Sequence, residues 1–410
     1  MSLSKEISGS LPLRPTPRVQ LHSLTGLRGL LAALAFLAHF FTLHLLPVDG
    51  HMRFVTTPTP SILVPITYAG MNVFFAMSGF VMAWAARPDD TAQAFWKRRF
   101  ARLFPIYFVT TVLAAGALVV LHMPVGLDNF LLHVFLLQAW VPDQGIIYGI
   151  NPVSWSLSVE VFFYLVFPAM LVLLSRATDR MLRITVVVAL VLAWWLPYLV
   201  GDTFTLAQTG GSTFFNHSEQ GGEFTFWFTM IFPGFRLVDF VSGAAVGMLM
   251  RRGSWRGPSM KVTLIIVAVM FVVDFLFLPN RIQRVGGLLP AVLLLMAALS
   301  QADLSGRMSW LRVKPFTWFG DRSYSFYLVH VLAFLPLQPV ILNLYTTLGI
   351  IPAPSVDLPV PLTVFSCLLY FTICTFAAWA LHKYVEVPMS RRLRKAGPTS
   401  ARSKLRGERS

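Results

Sequence analysis

Arg28 to Pro47 reads RGLLAALAFLAHFFTLHLLP, an apolar run of the length, about 20 residues, that a helix needs to cross a bilayer. It opens on a guanidinium and carries an imidazole in its middle. Arg28 and His39 are eleven residues apart. At about 3.6 residues per turn that is three turns, so both side chains return to one face, with His39 roughly 16 Å above Arg28. His39 then lies near the middle of a hydrocarbon core about 30 Å thick, where an ionisable group is costly and marks a functional site by default.

The rest of the chain extends this reading. Of 410 residues, 56% are hydrophobic and 12% charged, and mean hydropathy is +0.66. That describes a polytopic membrane protein, with no soluble stretch long enough for a separate catalytic domain. Apolar segments recur at about 29–47, 62–85, 103–122, 156–175, 184–200, 227–250, 262–278, 286–300, 323–348 and 360–382. The expected fold is all-α, a transmembrane helical bundle of about ten spans. An eleventh stretch, 127–141, is short for a span and reads as re-entrant or interfacial.

Charge distribution decides that parity. With 127–141 not crossing, nearly all of the 33 Lys and Arg residues fall on one side. The positive-inside rule makes that side cytoplasmic, with both termini on it. The chain then divides into an N-terminal tail (1–27), a membrane domain (28–388) and a basic C-terminal tail (389–410) attracted to anionic membrane lipid. Net charge is +15, but the basic residues lie between apolar segments, unlike a nucleic-acid surface, so nucleic acid is not an expected partner. The first apolar run reads as an uncleaved span rather than a signal peptide. Cys367 and Cys374 share one apolar segment and read as packing residues.

Further polar groups interrupt the spans. Arg99 and Arg102, in Lys97-Arg98-Arg99-Phe100-Ala101-Arg102, share a helix face. They read either as a positive-inside anchor or as forks for a phosphorylated donor. Glu160 follows Trp155-Ser156-Leu157-Ser158-Val159 and must be protonated or find a partner: His39, or a structural pairing with another helix. Arg236 and Asp239 are three apart and neutralise each other on one helix face. His330 lies near the inner end of its expected span and reads as a packing contact or a catalytic group. The outer loop 201–225, with Asn216, His217, Glu219 and Glu223, reads as a glycan contact or as a polar connector. No Walker loop, H-E-x-x-H or G-x-S-x-G motif is present, so no metal or nucleotide-hydrolysing chemistry is indicated. Ten spans with buried charges also suit a transporter of an envelope glycan.

Five fragments in order resemble the acyltransferase-3 family of integral-membrane O-acyltransferases: Leu24-Thr25-Gly26-Leu27-Arg28-Gly29 with His39 beyond it; Phe74-Phe75-Ala76-Met77-Ser78-Gly79-Phe80; Arg99-x-x-Arg102-Leu103-Phe104-Pro105; Trp155 to Glu160; and Ser323-Tyr324-Ser325-Phe326-Tyr327-Leu328-Val329-His330. The resemblance implies transfer of an acyl group, commonly acetyl, from acyl-coenzyme A to a hydroxyl, in a bacterial inner membrane and without a metal. The acceptor it implies is carbohydrate-containing, such as exopolysaccharide, lipopolysaccharide or a lipid-linked glycan, or alternatively a secondary-metabolite hydroxyl. It makes His39 catalytic with Arg28 and Glu160, gives Arg99 and Arg102 to the donor, and gives Arg236, Asp239, Ser323, Tyr324 and His330 binding or supporting roles.

Overall fold

A computed structural model describes residues 20–48, 51–56, 63–87, 90–203, 222–307, 309–352 and 357–395. Most of the N-terminal tail, the end of the C-terminal tail and most of loop 201–225, with its Asn216, His217 and Glu219, lie outside the described residues. The fold is a helical bundle. Nine helices among the described residues are long and apolar enough to cross a membrane. The tenth expected span is α12, Leu289–Leu304, of 16 residues, about 24 Å at 1.5 Å per residue.

In chain order the elements are α1 (His22–Thr42), β1 (Leu43–Val48), β2 (His51–Thr56), α2 (Leu63–Trp84), α3 (Ala92–Val120), α4 (Leu127–Val134), α5 (Gln144–Ile147), α6 (Trp155–Arg176), α7 (Asp179–Thr203) and α8 (Gly222–Phe226). Then follow α9 (Pro233–Arg251), α10 (Met260–Phe277), α11 (Asn280–Gln283), α12, α13 (Lys314–Thr347), α14 (Val360–Leu381) and α15 (Val387–Lys395).

The first helix departs from its expected bounds at both ends. It starts at His22, so Arg28 sits inside it and His39 in its last turn. Hydropathy places the start at Arg28 because the stabilising group lies far off in sequence. Asp303 of α12 accepts from the Ser23 backbone N–H (2.8 Å) and the Ser23 hydroxyl (2.7 Å). It supplies to the buried Ser23 N–H in the first turn the carboxylate that a local cap would otherwise give. At the other end the chain turns extended at Leu43, and β1 pairs antiparallel with β2, Val48 opposite His51. Asp49-Gly50 between two apolar-rich strands is a hairpin signal.

The 127–141 segment forms no span. Helix α4 has 8 residues, about 12 Å, and the backbone reverses at Leu136, where φ is 57°. The chain then folds into the bundle. Residues Asn151 to Val159 are all buried, Gln138 donates to the Ser154 carbonyl (3.2 Å) and Asn151 to the Leu328 carbonyl (3.0 Å). Helix α6 therefore begins inside the protein.

Two close helix pairings organise the centre. α2 packs along α9: a Cβ on Gly79 would fall on the Phe240 carbonyl oxygen, and one on Gly243 on that of Ala76. α1 packs along α13. A Cβ on Gly29 would come within 2.9 Å of the Phe316 carbonyl oxygen, and one on Gly320 would fall on that of Thr25. With lipid as solvent there is little hydrophobic drive between helices, so small residues that let backbones approach hold them together.

Gly320→Ala should therefore lower thermal stability of the detergent-solubilised protein by about 1–3 kcal/mol through overpacking. Gly116→Ala in α3, where a Cβ meets nothing within 4 Å, should be neutral or stabilising by up to about 1 kcal/mol. Thermal unfolding of both variants checks the pair; equal effects would contradict the close approach.

Candidate active site

The α1–α13 contact brings the two sequence-marked polar groups of α1 onto polar partners. An Arg28 guanidinium N–H donates to the Ser323 hydroxyl (3.1 Å), which donates to the Gly320 carbonyl (2.8 Å). Two turns along α13, His39 Nδ1 lies 2.8 Å from His330 Nε2, the rings stacked at 5.1 Å between centroids. The helices run parallel, so residues eleven apart on one meet residues seven apart on the other. His330 is mid-helix rather than near the inner end, because α13 begins at Lys314, nine residues before the span expected from hydropathy.

The backbone sets the tautomers of this imidazole pair. His330 Nδ1 faces the carbonyls of Tyr327 (2.8 Å) and Phe326 (3.2 Å). Carbonyls only accept, so His330 Nδ1 carries the proton and its Nε2 accepts. His39 Nδ1 must then donate, which leaves the His39 Nε2 lone pair bare, with no hydrogen bond among the described residues. His330 is buried and packed by Phe36, Phe326 and Phe334, while His39 is partly exposed.

A cavity lies on the Arg28 side of this pair. Its lining brings together Arg28, Arg99, Arg102, Glu160, Ser323 and Tyr324, with Tyr327, Met71 and Phe74 also on its wall. It holds about 1030 Å³ of space free of protein atoms, part of it open to solvent. Arg99 lies over the rings of Phe95 (5.3 Å) and Tyr164 (5.6 Å), which holds the guanidinium by cation–π attraction. Glu160 does not touch His39. Its carboxylate accepts from Tyr164 (2.5 Å) and Ser78 (3.2 Å), and its charge is felt by Arg28 and Arg99. Tyr324 donates to the Leu103 carbonyl (2.8 Å), fixing α13 against α3. His39 is not part of the cavity lining; Tyr327, whose ring is 5.8 Å from that of His330, connects the two regions.

Arg236 and Asp239 pair within α9 at 3.1 Å, both fully buried, and Arg236 also donates to Asn72 of α2 (2.6 Å). They lie in the α2–α9 contact, outside the cavity lining. Sequence reading missed Asn72, Ser78 and Tyr164. Tyr164 was legible as the residue four after Glu160 on one helix face; Ser78 stood inside the Phe74 to Phe80 fragment but was given no role, and Asn72 carried no signal beyond being polar in an apolar segment. No group of three His, Cys, Asp or Glu able to hold a metal occurs among the described residues, and both cysteines are free thiols.

A family model of the acyltransferase domain, acyltransferase-3, matches residues 21–380. The chain belongs to the acyltransferase-3 family. This acyltransferase is 31% identical over 335 residues to the acyltransferase MdmB of Streptomyces mycarofaciens, covering 77% of this chain and 79% of that one. It is 28% identical to the exopolysaccharide production protein ExoZ of Rhizobium meliloti, over 79% of this chain and 90% of the relative. With the peptidoglycan O-acetyltransferase OatA of Listeria monocytogenes it shares 26% identity over 64% of this chain and 44% of that protein. No solved structure matches. Membership makes the chain an integral-membrane acyltransferase; the transporter reading is set aside.

His330→Phe keeps an aromatic ring, somewhat larger than the imidazole, but removes the acceptor that orients His39. The turnover number should fall roughly 10-fold or more, in the direction of the up to about 10⁴-fold loss that follows when a catalytic imidazole loses its tautomer-fixing partner. The Michaelis constant for the acyl donor should change little. Steady-state kinetics in membranes check this, and an unchanged turnover number would contradict the positioning role.

Proposed function

We propose that this acyltransferase moves an acyl group, acetyl in the simplest case, from acyl-coenzyme A to a hydroxyl of a carbohydrate-containing acceptor. The observation that carries the reading is the backbone-set imidazole pair, which presents a bare His39 Nε2 beyond a cavity lined by three guanidiniums.

Arginine forks suit the pyrophosphate of coenzyme A, and Arg99 and Arg102 enter the cavity from one helix face. The thioester sits at the end of the long pantetheine arm. His39 and Arg28 are eleven residues apart on α1, roughly 16 Å, a distance for such an arm to cover. Positive-inside orientation gives the arginine end to the cytoplasm, where acyl-coenzyme A is available, and puts the His39 end toward the outer face of the inner membrane. Both termini are then cytoplasmic, with 1–27 and 389–410 as tails of the membrane domain.

His39 Nε2 accepts the acceptor hydroxyl proton as the oxygen attacks the thioester carbonyl. The new C–O bond forms, the C–S bond breaks, and the proton passes to the departing thiolate. A thioester is already activated, so the imidazole's contribution is general-base help, typically about 10²- to 10⁴-fold. His330 shares the charge that develops on His39 through the Nδ1 hydrogen bond. Arg28, held by Ser323 and near Glu160, helps bind the donor's negative charge; Glu160 keeps the arginine cluster partly neutral in a low-dielectric interior. Arg236 and Asp239 support the site by locking α9 to α2. The carbohydrate acceptor is supported by the relatives named for exopolysaccharide production and peptidoglycan O-acetylation.

His39→Ala should abolish transfer of radiolabel from acetyl-coenzyme A to endogenous acceptor in membranes, with membrane insertion unchanged. Full activity in that variant would remove His39 from the mechanism.

A further inference from the structure

A second cavity opens next to the first, and Arg102 lines both. Its other walls come from the start of α13 (Asp321, Arg322) and from the turn and helix after α14 (His382, Glu386, Ser390, Arg391). Three guanidiniums from three separate elements therefore face one space. None of them forms an ion pair with a carboxylate among the described residues.

Two carboxylates, Glu386 and Asp321, also stand in its wall. Glu386 accepts from the Ser325 hydroxyl (2.6 Å) and lies 3.0 Å from His382 Nδ1; Asp321 is exposed. Arg322 is held in place rather than left to wave. It lies 4.1 Å above the Trp318 ring and donates to the Trp318 carbonyl (2.7 Å), while its buried Nε–H has no partner. A buried charged donor without an acceptor is unfavourable, and Arg322 so held, with Arg102 and Arg391 lining the same space, matches a phosphate.

We propose that this cavity is the subsite for the ribose 3′-phosphate of the coenzyme A donor, with Arg102 bridging it to the pyrophosphate in the first cavity. The inference rests on the donor reading above. Coenzyme A carries two phosphate centres, a pyrophosphate and a separate phosphate monoester on the same ribose. Two adjacent arginine-lined spaces sharing one guanidinium answer that pattern. An anionic lipid headgroup offers the same phosphate chemistry at the same end of the bundle, so the test separates the two.

The full chain, purified in detergent without anionic lipid, is titrated with acetyl-coenzyme A and with acetyl-3′-dephospho-coenzyme A. The parent should bind the complete thioester roughly tenfold tighter, the scale of one or two charge-assisted hydrogen bonds. Arg322→Ala and Arg391→Ala should each remove most of that preference while leaving affinity for the dephospho compound unchanged. Arg391 is exposed, so its variant folds. Equal binding of the two thioesters by the parent, or variants that weaken both alike, would overturn the subsite while leaving the donor reading standing. Loss of the preference when phosphatidylglycerol is added would assign the cavity to lipid and likewise overturn it. Binding of neither thioester would overturn the donor reading and this inference together.

Discussion

The backbone approach of α1 to α13 is the constraint on which the site depends. Gly29 and Gly320 meet at a distance that admits no Cβ on either. At that separation a hydroxyl on α13 reaches the guanidinium of Arg28, and an imidazole reaches the imidazole of His39. A third link continues the seam, where the Gln338 amide donates to His44 Nδ1 at 2.7 Å. The first two partners are set by spacing along two parallel helices, so a small change in crossing distance would break both, while His44 reaches Gln338 from β1. The glycines of the Leu24 to Gly29 fragment thus serve packing, and its arginine is positioned by them.

Charges in this bundle are each given a distinct solution. Arg236 is neutralised within its own helix and tied to Asn72. Arg251, at the end of α9, donates to the carbonyls of Ala83 and Ala86 that close α2, as cations at helix ends do. Arg98 pairs with Asp90 at the start of α3. The guanidiniums of Arg28, Arg99 and Arg102, by contrast, share one cavity with the single carboxylate Glu160. The imidazole pair lies beyond that cavity, with His39 outside its lining.

How far the sequence revealed this follows from where each signal resides. The spans were legible because length and hydropathy are local properties, and the same properties marked 127–141 as too short to cross. The shared face of Arg28 and His39 follows from helical periodicity, and both meet α13 as that face requires. What stayed hidden came from groups distant in sequence. Asp303 moves the start of α1 from Arg28 to His22, a contact spanning 280 residues. The link between His39 and His330 spans 291, and no periodicity connects them. Glu160 was read as a possible partner of His39, whereas the fold gives it Tyr164 and Ser78 because the chain before α6 folds inward and faces this helix start toward α2 and α3. The Asp49-Gly50 hairpin signal was present but obscured by the apolar run leading into it.

The central claim is that donor and acceptor meet across the bundle, the thioester entering at the arginine end and the hydroxyl reaching His39 from the other. Sealed membrane vesicles of opposite orientation test it directly. With acetyl-coenzyme A supplied outside, ester formation should occur in inside-out vesicles, whose cytoplasmic face is outward, and fail in right-side-out ones. Ester formed only in right-side-out vesicles would contradict the account.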